Sequence, residues 1–401
     1  RSVVDFGGEI SDRVSGYTGE DGFYRLEVDF EGDCWVFAFY DDPSTPGVDY
    51  LPGFLEMDIR DGGFYNASFH LLPGASLKLN VEDISFVEEP DPRWKTFSIH
   101  VSPLCWRPGF NESLLEYGSL YGVLIGLGVG DVVIPAGYPV NVRVEAKAYY
   151  RFWKSITHTF TLEISSNLGR GEVEEIDLRP ISLMYNLNLT RESLYNASQR
   201  LRAVEEKGAY VRGEWMEIEA AEDLLSLSEE DLANASFDEC YANMRQAYII
   251  AADIQDRVNL IYTTAATATI GLIPFLAVNS LALSLLFFEE RSKKIIAFLL
   301  LFTASLTVMR YLYVGFSLVD WWVIGVDAAL SLTACLLLPL IFKEEGGGRD
   351  RPSPLGAVVS VFSLAKRNLR RRKFRTLLVF ASLLAMVACF ISLTSVDTGY
   401  G

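Results

Sequence analysis

Histidine and cysteine are scarce in this chain of 401 residues, and their scarcity limits the chemistry that the chain can perform. The three histidines, His70, His100 and His158, stand singly in strand-like segments, where a surface or core role is expected. There is no CxxC pair and no GxxxxGK[ST] motif, so neither a zinc site nor a P-loop for ATP is indicated. We therefore predict that the chain is not an enzyme and holds no metal ion or cofactor.

Cysteine also sets a limit on disulfide bonding. Cys335 and Cys389 lie inside apolar runs, which leaves Cys34, Cys105 and Cys240 for a domain outside the membrane. At most one intramolecular disulfide can form among three cysteines, and their spacing does not indicate which pair would form it.

Lys and Arg are few in the first part of the chain, relative to Asp and Glu. Residues 1–257 carry 21 Lys and Arg against 44 Asp and Glu, whereas residues 258–401 carry 14 against 8. This difference indicates that the two parts face different surroundings. An acidic domain repels nucleic acid, so no nucleic-acid partner is expected. The basic residues of the second part lie beside apolar runs, where anionic lipid headgroups of the bilayer are the expected partners.

Charge is absent altogether from Leu260 to Phe288, a run of 29 residues. A helix needs ~20 apolar residues to cross a ~30 Å hydrocarbon core. We predict three spanning helices in residues 258–343 and a fourth near the end of the chain. Their predicted bounds are 258–288, 295–319, 321–342 and 376–396.

Basic residues indicate how these helices are oriented. Arg291, Lys293 and Lys294 lie between the first two predicted spans, and a longer basic run precedes residue 376. Loops rich in Lys and Arg stay in the cytoplasm. The chain is therefore predicted to be a multi-pass protein of the cell membrane, with both the N-terminal domain and Gly401 outside.

Two charged residues interrupt the predicted spans. Arg310 lies in the second span and Asp327 in the third, at equal distances from the short outer turn between them. Charges inside a membrane are costly and usually paired, so we predict an intramembrane ion pair between the two. In the alternative, Arg310 extends outward to the membrane surface and Asp327 faces water.

The sequence of the acidic part predicts strands followed by helices. Short alternating runs separated by Gly- and Pro-rich turns predict one or two β-sandwiches, at residues 1–92 and 93–186. Apolar residues at helical spacing then predict a helical stalk over 187–257. No Pro or Gly lies between Ser236 and the membrane, so one helix should continue into the first span. The predicted fold class is a multi-domain membrane protein with an all-β ectodomain of one or two β-sandwiches, a helical stalk and four transmembrane α-helices.

Asn-x-Ser/Thr sequons occur five times in the part predicted to lie outside, and they are candidate N-glycosylation sites. They begin at Asn66, Asn111, Asn188, Asn196 and Asn234.

The segment from residue 7 to residue 87 contains FYDDPSTPGVDYLPG and IRDGGFYNASFHLLPGASLKL. With these turns it resembles the carboxypeptidase-regulatory-like, transthyretin-like β-sandwich, in which DG and LPG turns close hairpins. The resemblance implies a non-catalytic binding or spacer module.

Residues 344–375 are predicted to form a cytoplasmic linker and a basic amphipathic helix that lies along the inner membrane surface. Within residues 363–399, the run AKRNLRRRKFRTLL resembles the A-x-R-N-L-x-R-x-K-x-R-T-L-L run that opens the MacB/FtsX-type ABC transporter permeases. The matching positions are Ala365, Arg367, Asn368, Leu369, Arg371, Lys373, Arg375, Thr376, Leu377 and Leu378.

This resemblance implies a permease-like subunit that works with a cytoplasmic ABC ATPase, as a homo- or heterodimer. The residues expected to contact that partner or lipid are Phe362, Arg367, Asn368, Leu369, Arg371, Lys373 and Arg375.

The leading functional hypothesis is a membrane subunit of an ABC-type transporter or mechanotransmission complex with an extracellular β-rich binding domain. Two alternatives stay open. In one, the chain is a cell-envelope surface glycoprotein whose helices only anchor it. In the other, it is a receptor whose ectodomain binds a ligand. A partner ATPase would separate the first hypothesis from the other two.

Overall fold

The computed structural model describes residues 2–6, 14–29, 31–60, 62–89, 92–104, 116–117, 127–150, 154–164, 168–288 and 290–341. In these ranges, strands come first along the chain and helices follow. The strands are β1 (Ser2–Phe6), β2 (Ser15–Gly16), β3 (Gly32–Ala38), β4 (Gly53–Ile59), β5 (Gly74–Leu79), β6 (Trp94–Pro103), β7 (Glu116–Tyr117), β8 (Asp131–Pro135), β9 (Val140–Tyr149), β10 (Ser155–Ile164) and β11 (Val173–Ile176). The helices are α1 (Arg179–Glu206), α2 (Arg212–Ala233), α3 (Phe237–Phe287), α4 (Arg291–Leu312), α5 (Gly315–Leu318) and α6 (Trp321–Ile341).

The strands form three sheets, with the orders β2-β1-β3-β4, β10-β9-β6-β7 and β11-β5-β8. The longest pairings are antiparallel: β9 pairs along its length with β10 on one side and β6 on the other. Side chains of β9 are alternately buried and less buried, because successive residues of a strand point to opposite faces of the sheet.

The third sheet joins regions that the sequence places in separate sandwiches. β5 pairs with β8 in antiparallel fashion and with β11 in parallel fashion, so the sheets do not follow the predicted division at residue 92. Five of the six residues of β5 are buried, which explains why this strand needs neighbours on both edges. One apolar core runs from Phe37 to Leu178 through both predicted regions.

The helices begin at Arg179, eight residues before the predicted stalk. The backbone N–H of Arg179 donates to the carboxylate of Asp177 at 2.9 Å, which satisfies one free donor of the first turn. Farther along, α3 is a single helix of 51 residues with Pro274 inside it. The prediction that one helix continues from Ser236 into the apolar run is therefore confirmed.

The prediction of four transmembrane helices is wrong. In the part of the chain that the structure describes, only α3 and α4 are long and apolar enough to cross a membrane. The predicted span 295–319 ends at Leu312, because Tyr313 takes an extended conformation with φ −114° and ψ 111°. The apolar part of α6, Trp321–Leu337, is shorter than the ~20 residues that a crossing requires. The predicted span 376–396 lies outside the described residues.

The chain divides into two compact units. Unit 1 comprises Arg1–Tyr195 and Ile218–Ala251, and unit 2 comprises Asn196–Glu217 and Ala252–Gly401. Unit 1 contains the sheets and their common core. The core of unit 2 consists of apolar side chains from α3, α4, α5 and α6, among them Ile273, Phe298, Phe302, Phe316 and Ile324.

Candidate functional site

Polar contacts concentrate in unit 1 on residues 82–89, a segment between β5 and β6 that we call the strap. The strap has no regular secondary structure of its own, so its backbone groups depend on side chains from other elements. Lys95 of β6 donates from Nζ to the carbonyl of Ile84 at 2.6 Å. Tyr150, which follows β9, donates its hydroxyl to the carbonyl of Glu89 at 2.8 Å.

Helices hold the strap as well. The buried Asn186 of α1 donates from Nδ2 to the carbonyl of Ser85 at 2.9 Å, and its Oδ1 accepts from the N–H of Val87 at 3.3 Å. Tyr241 of α3 donates to the carbonyl of Phe86 at 2.9 Å. Strands and helices of unit 1 are therefore joined through one short segment.

An acid–base pair lies at the centre of this junction, and its histidine is buried. His158 of β10 is 1% exposed, and its Nε2 lies 3.0 and 3.2 Å from the two carboxylate oxygens of Glu88. The ring centroid of His158 lies 4.3 Å from that of Phe86 and 4.6 Å from that of Tyr185. Nδ1 is buried and has no hydrogen-bond partner. This geometry assigns the proton of a neutral imidazole to Nε2, which donates to an ionised Glu88.

The surroundings keep the Glu88 carboxylate charged. Burial opposes its ionisation, but the hydrogen bond from His158, a hydrogen bond from its own backbone and the electrostatic attraction of His158 and Lys154 together outweigh burial and lower the pKa of Glu88. Lys154 is fixed in turn by Glu89, with Nζ 2.6 Å from Oε2. Burial first, and then the negative charge of Glu88, raises the pKa of the Tyr248 hydroxyl, which therefore stays protonated.

Chemically, the junction can hold elements together through a partly buried negative charge and can respond to acid. Among the described residues no three His, Cys, Asp or Glu side chains are grouped to bind a metal ion. Cys34 and Cys240 are buried free thiols, and burial raises the pKa of Cys240 to about 11, so neither is set up as a thiolate nucleophile. Cys105 lies outside the described residues.

The sequence placed His158 in a surface or core role, and the structure puts it in the core, whereas His70 and His100 are exposed. The partnership with Glu88 was missed. One signal was available: the acid pair Glu88–Glu89 directly follows the apolar residues Ile84, Phe86 and Val87.

Unit 2 presents a second feature, an apolar outer surface on α3 and α4. Only 33% and 22% of their most apolar windows are buried inside the structure, whereas the core helix of a soluble protein would be mostly buried. Twelve large apolar side chains between Leu260 and Leu312 are at least 40% exposed. Exposed apolar surface of this extent marks a contact with a membrane or a partner.

Aromatic residues cluster at one end of this surface. Tyr311 near the end of α4 is 85% exposed, and Trp321 and Trp322 at the start of α6 are 69% and 70% exposed. Tyr and Trp concentrate at membrane–water interfaces because their rings are apolar and their tips are polar.

Arg310 and Asp327 do not form the predicted ion pair in the structure. Arg310 instead donates from Nη1 to the carbonyl of Phe316 at 2.8 Å, and its guanidinium carbon lies 4.6 Å from the centroid of a Trp321 ring. Oδ2 of Asp327 is buried and has no hydrogen-bond partner. The reason is local: the break after Leu312 brings the backbone of α5 to Arg310 before α6 begins.

Four of the five sequon asparagines lie in the described residues, and all four are exposed. Asn188 and Asn196 are inside α1, Asn234 precedes α3, and Asn66 follows β4. Asn111 lies outside the described residues, as do the amphipathic helix and its residues Phe362, Arg367, Asn368, Leu369, Arg371, Lys373 and Arg375.

Comparison with known proteins gives no relative for either unit. No family model, no curated protein and no solved structure matches the chain.

Proposed function

We propose that this protein is a non-catalytic membrane protein that α3 and α4 anchor in the cell membrane and that carries its β-rich part outside the cell. The exposed apolar surface of these two helices is the observation that supports the proposal most directly. Covering twelve large, partly exposed apolar side chains with lipid stabilises the chain by on the order of 10 kcal/mol. A protein left in water would lose this contribution.

The orientation follows from the basic residues at the start of α4. Arg291, Lys293 and Lys294 lie in its first turn, directly after the short connection from α3, and Lys293 pairs with Glu290 at 2.9 Å. Short loops with an excess of Lys and Arg remain in the cytoplasm. The other end of each helix, and with it the N-terminal part of the chain, then lies outside.

Cysteine labelling in intact cells tests the orientation. Asn234→Cys and Ser292→Cys each place a thiol at an exposed position, on opposite sides of the proposed membrane. With a membrane-impermeant maleimide, we expect Asn234→Cys to react in intact cells and Ser292→Cys to react only after lysis. The unsubstituted chain is the control: Cys34, Cys240 and Cys335 are buried, and any labelling of Cys105 or Cys389 is measured in it and subtracted. Equal labelling of both variants before lysis would contradict the proposal.

We further propose that the anchored protein serves as a permease-like subunit of an ABC-type transporter or mechanotransmission complex. The dense match over residues 365–378 to the start of MacB/FtsX-type permeases supports this proposal. The alternative is an anchored surface glycoprotein or receptor that works without an ATPase.

Co-purification from native membranes distinguishes these alternatives. We expect an ABC ATPase to co-purify with the full chain, and we expect Phe362→Glu and Leu369→Glu to abolish stimulation of its ATPase activity while membrane insertion is kept. Ser360→Glu, on the opposite side of the predicted amphipathic helix, is the matched control and should leave stimulation unchanged. If no ATPase co-purifies, the subunit proposal fails and the anchored glycoprotein or receptor is favoured.

A further inference from the structure

The first sheet carries an open cleft in unit 1, away from the strap. Two segments without regular secondary structure, residues 23–29 and 64–71, pack against β3 and β4, and they are linked where the Tyr24 hydroxyl donates to the carbonyl of Ala67 at 2.5 Å. These segments and the two strands line a cavity of about 1180 Å³. This volume exceeds the ~300–1,000 Å³ of common small-molecule pockets, so the cleft has room for an extended ligand.

Aromatic residues are concentrated in this cleft. Seven of its 26 lining residues are Phe or Tyr, about twice the 13% share of aromatic residues in the chain. Several of these rings face solvent: Phe64 is 96% exposed, Phe23 73%, Tyr40 54% and Tyr65 44%. Exposed apolar rings grouped on one surface indicate a site where a ligand covers them.

The charges of the cleft are nearly balanced. Its lining includes Arg25 and Arg60 against Glu27, Asp29 and Glu31, in a chain whose formal net charge is −17. Arg25 pairs with Glu27 at 3.0 Å, and both side chains are more than two-thirds exposed. A balanced lining attracts neither a polyanion nor a polycation strongly. The charged side chains remain available as hydrogen-bond donors and acceptors at the rim.

We propose that this cleft binds a neutral oligosaccharide. The apolar C–H faces of successive sugar rings would cover the exposed rings of Phe23 and Phe64, and the sugar hydroxyls would bond to the paired charged side chains and to Asn66. The volume of the cleft suits a chain of several sugar rings better than a single one. An extended peptide is the competing occupant, and the exposed aromatic rings together with the nearly balanced charge favour the neutral sugar.

The proposal adds a ligand class to the part of the chain that is proposed to lie outside the cell. Its test uses purified protein and therefore does not depend on membrane orientation. The full chain is placed in lipid nanodiscs, because maltoside detergents carry sugar headgroups that would compete. It is produced in a bacterial host without N-glycosylation, so that Asn66 carries no glycan that could fill the cleft itself.

Calorimetric titration then uses maltohexaose, cellohexaose, mannohexaose and chitohexaose as neutral probes. We expect at least one of them to bind with a Kd of about 1 mM or tighter. Phe64→Ala should weaken that binding about tenfold, the factor that corresponds to ~1.4 kcal/mol from one lost aromatic contact. Tyr210→Ala, a substitution of an 80% exposed tyrosine outside the cleft, is the matched control and should leave the Kd unchanged.

Several results would overturn the proposal. One is that none of the neutral hexasaccharides binds to protein whose circular dichroism shows it to be folded. Another is binding only to a charged probe such as oligogalacturonate, or binding that Phe64→Ala leaves unchanged. A polyalanine-based peptide that binds in the cleft when no sugar does would assign the cleft to peptide.

Discussion

Loss of His158 should loosen the strap from the rest of unit 1. In the His158→Phe variant, the Glu88 carboxylate, whose side chain is 19% exposed in the structure, loses the hydrogen bond from the imidazole. A hydrogen bond to a charged group contributes ~1.5–3 kcal/mol, and a fully buried pair that loses one member costs ~3–5 kcal/mol. Because Glu88 is close to the surface, we expect a loss of ~2 to 3 kcal/mol.

A double variant distinguishes the interaction between Glu88 and His158 from the packing of the His158 ring. Glu88→Gln with His158→Phe removes the stranded charge, so part of the loss should return, and the two single effects should not add. Hydrogen exchange of the strap amides in nanodisc-embedded protein measures this directly, because exchange reports the free energy of local opening. Single effects that add without interaction, or strap amides that exchange at the same rate in all variants, would refute the pairing.

The same pair predicts an acid response. The pKa of Glu88 is lower in the folded protein than in the unfolded chain, so the folded state binds fewer protons at this group. Its contribution to stability is therefore present above the unfolded pKa of ~4.3 and is lost as the pH falls through the lower folded value. The protection of the strap amides, which is their exchange rate relative to the intrinsic rate at the same pH, should fall below about pH 4.3, and Glu88→Gln should remove this part of the pH dependence. A fall in protection that persists unchanged in Glu88→Gln would assign it to other groups.

Three further substitutions test single features. Asn186→Ala removes the three strap contacts of a buried amide and should lower the melting temperature of unit 1, at a cost of ~2 kcal/mol that a calorimetric scan would detect. Gly130→Ala should lower the free energy of unfolding by more than ~2 kcal/mol, because a Cβ there would overlap a carbonyl oxygen of β5. Gly213→Ala is the control, because a Cβ at that position meets open space, and it should be neutral or stabilising in the same scan. Arg310→Leu should lower the folded yield in nanodiscs, because loss of the contacts of Arg310 with the carbonyl of Phe316 and the ring of Trp321 costs ~1–2 kcal/mol. Asp327→Leu should leave the yield unchanged. Equal losses of yield in the two variants would restore the ion-pair hypothesis.

Features encoded in neighbouring residues were predictable. The absence of Pro and Gly after Ser236, together with a charge-free run from Leu260, predicted one long helix, and α3 has this form. Strands were also predictable from alternating apolar residues, as in β9 and β10. In each case the signal is a periodicity that the local backbone produces by itself.

The number of apolar helices was not predictable in this way. An apolar run near Tyr313 has the composition of a spanning helix, but Arg310 bonds to the carbonyl of Phe316 next to a break in the helix. Composition counts residues and does not report where a helix ends, so the predicted span 295–319 was too long. The end of the helix depends on the backbone break at Tyr313 and on the local contact of Arg310 with Phe316.

By itself, the sequence determined the order of strands and helices, the separation of acidic and apolar parts and the long helix, because each depends on residues close together in the chain. Only the tertiary structure decided the partners. It placed β5 between strands from a region assigned to another domain, and it joined Glu88 to His158 across 70 positions. Such contacts form because buried polar groups need hydrogen-bond partners, and these come from whichever side chains the fold brings near. No pattern of neighbouring residues in a single sequence predicts which side chains those are.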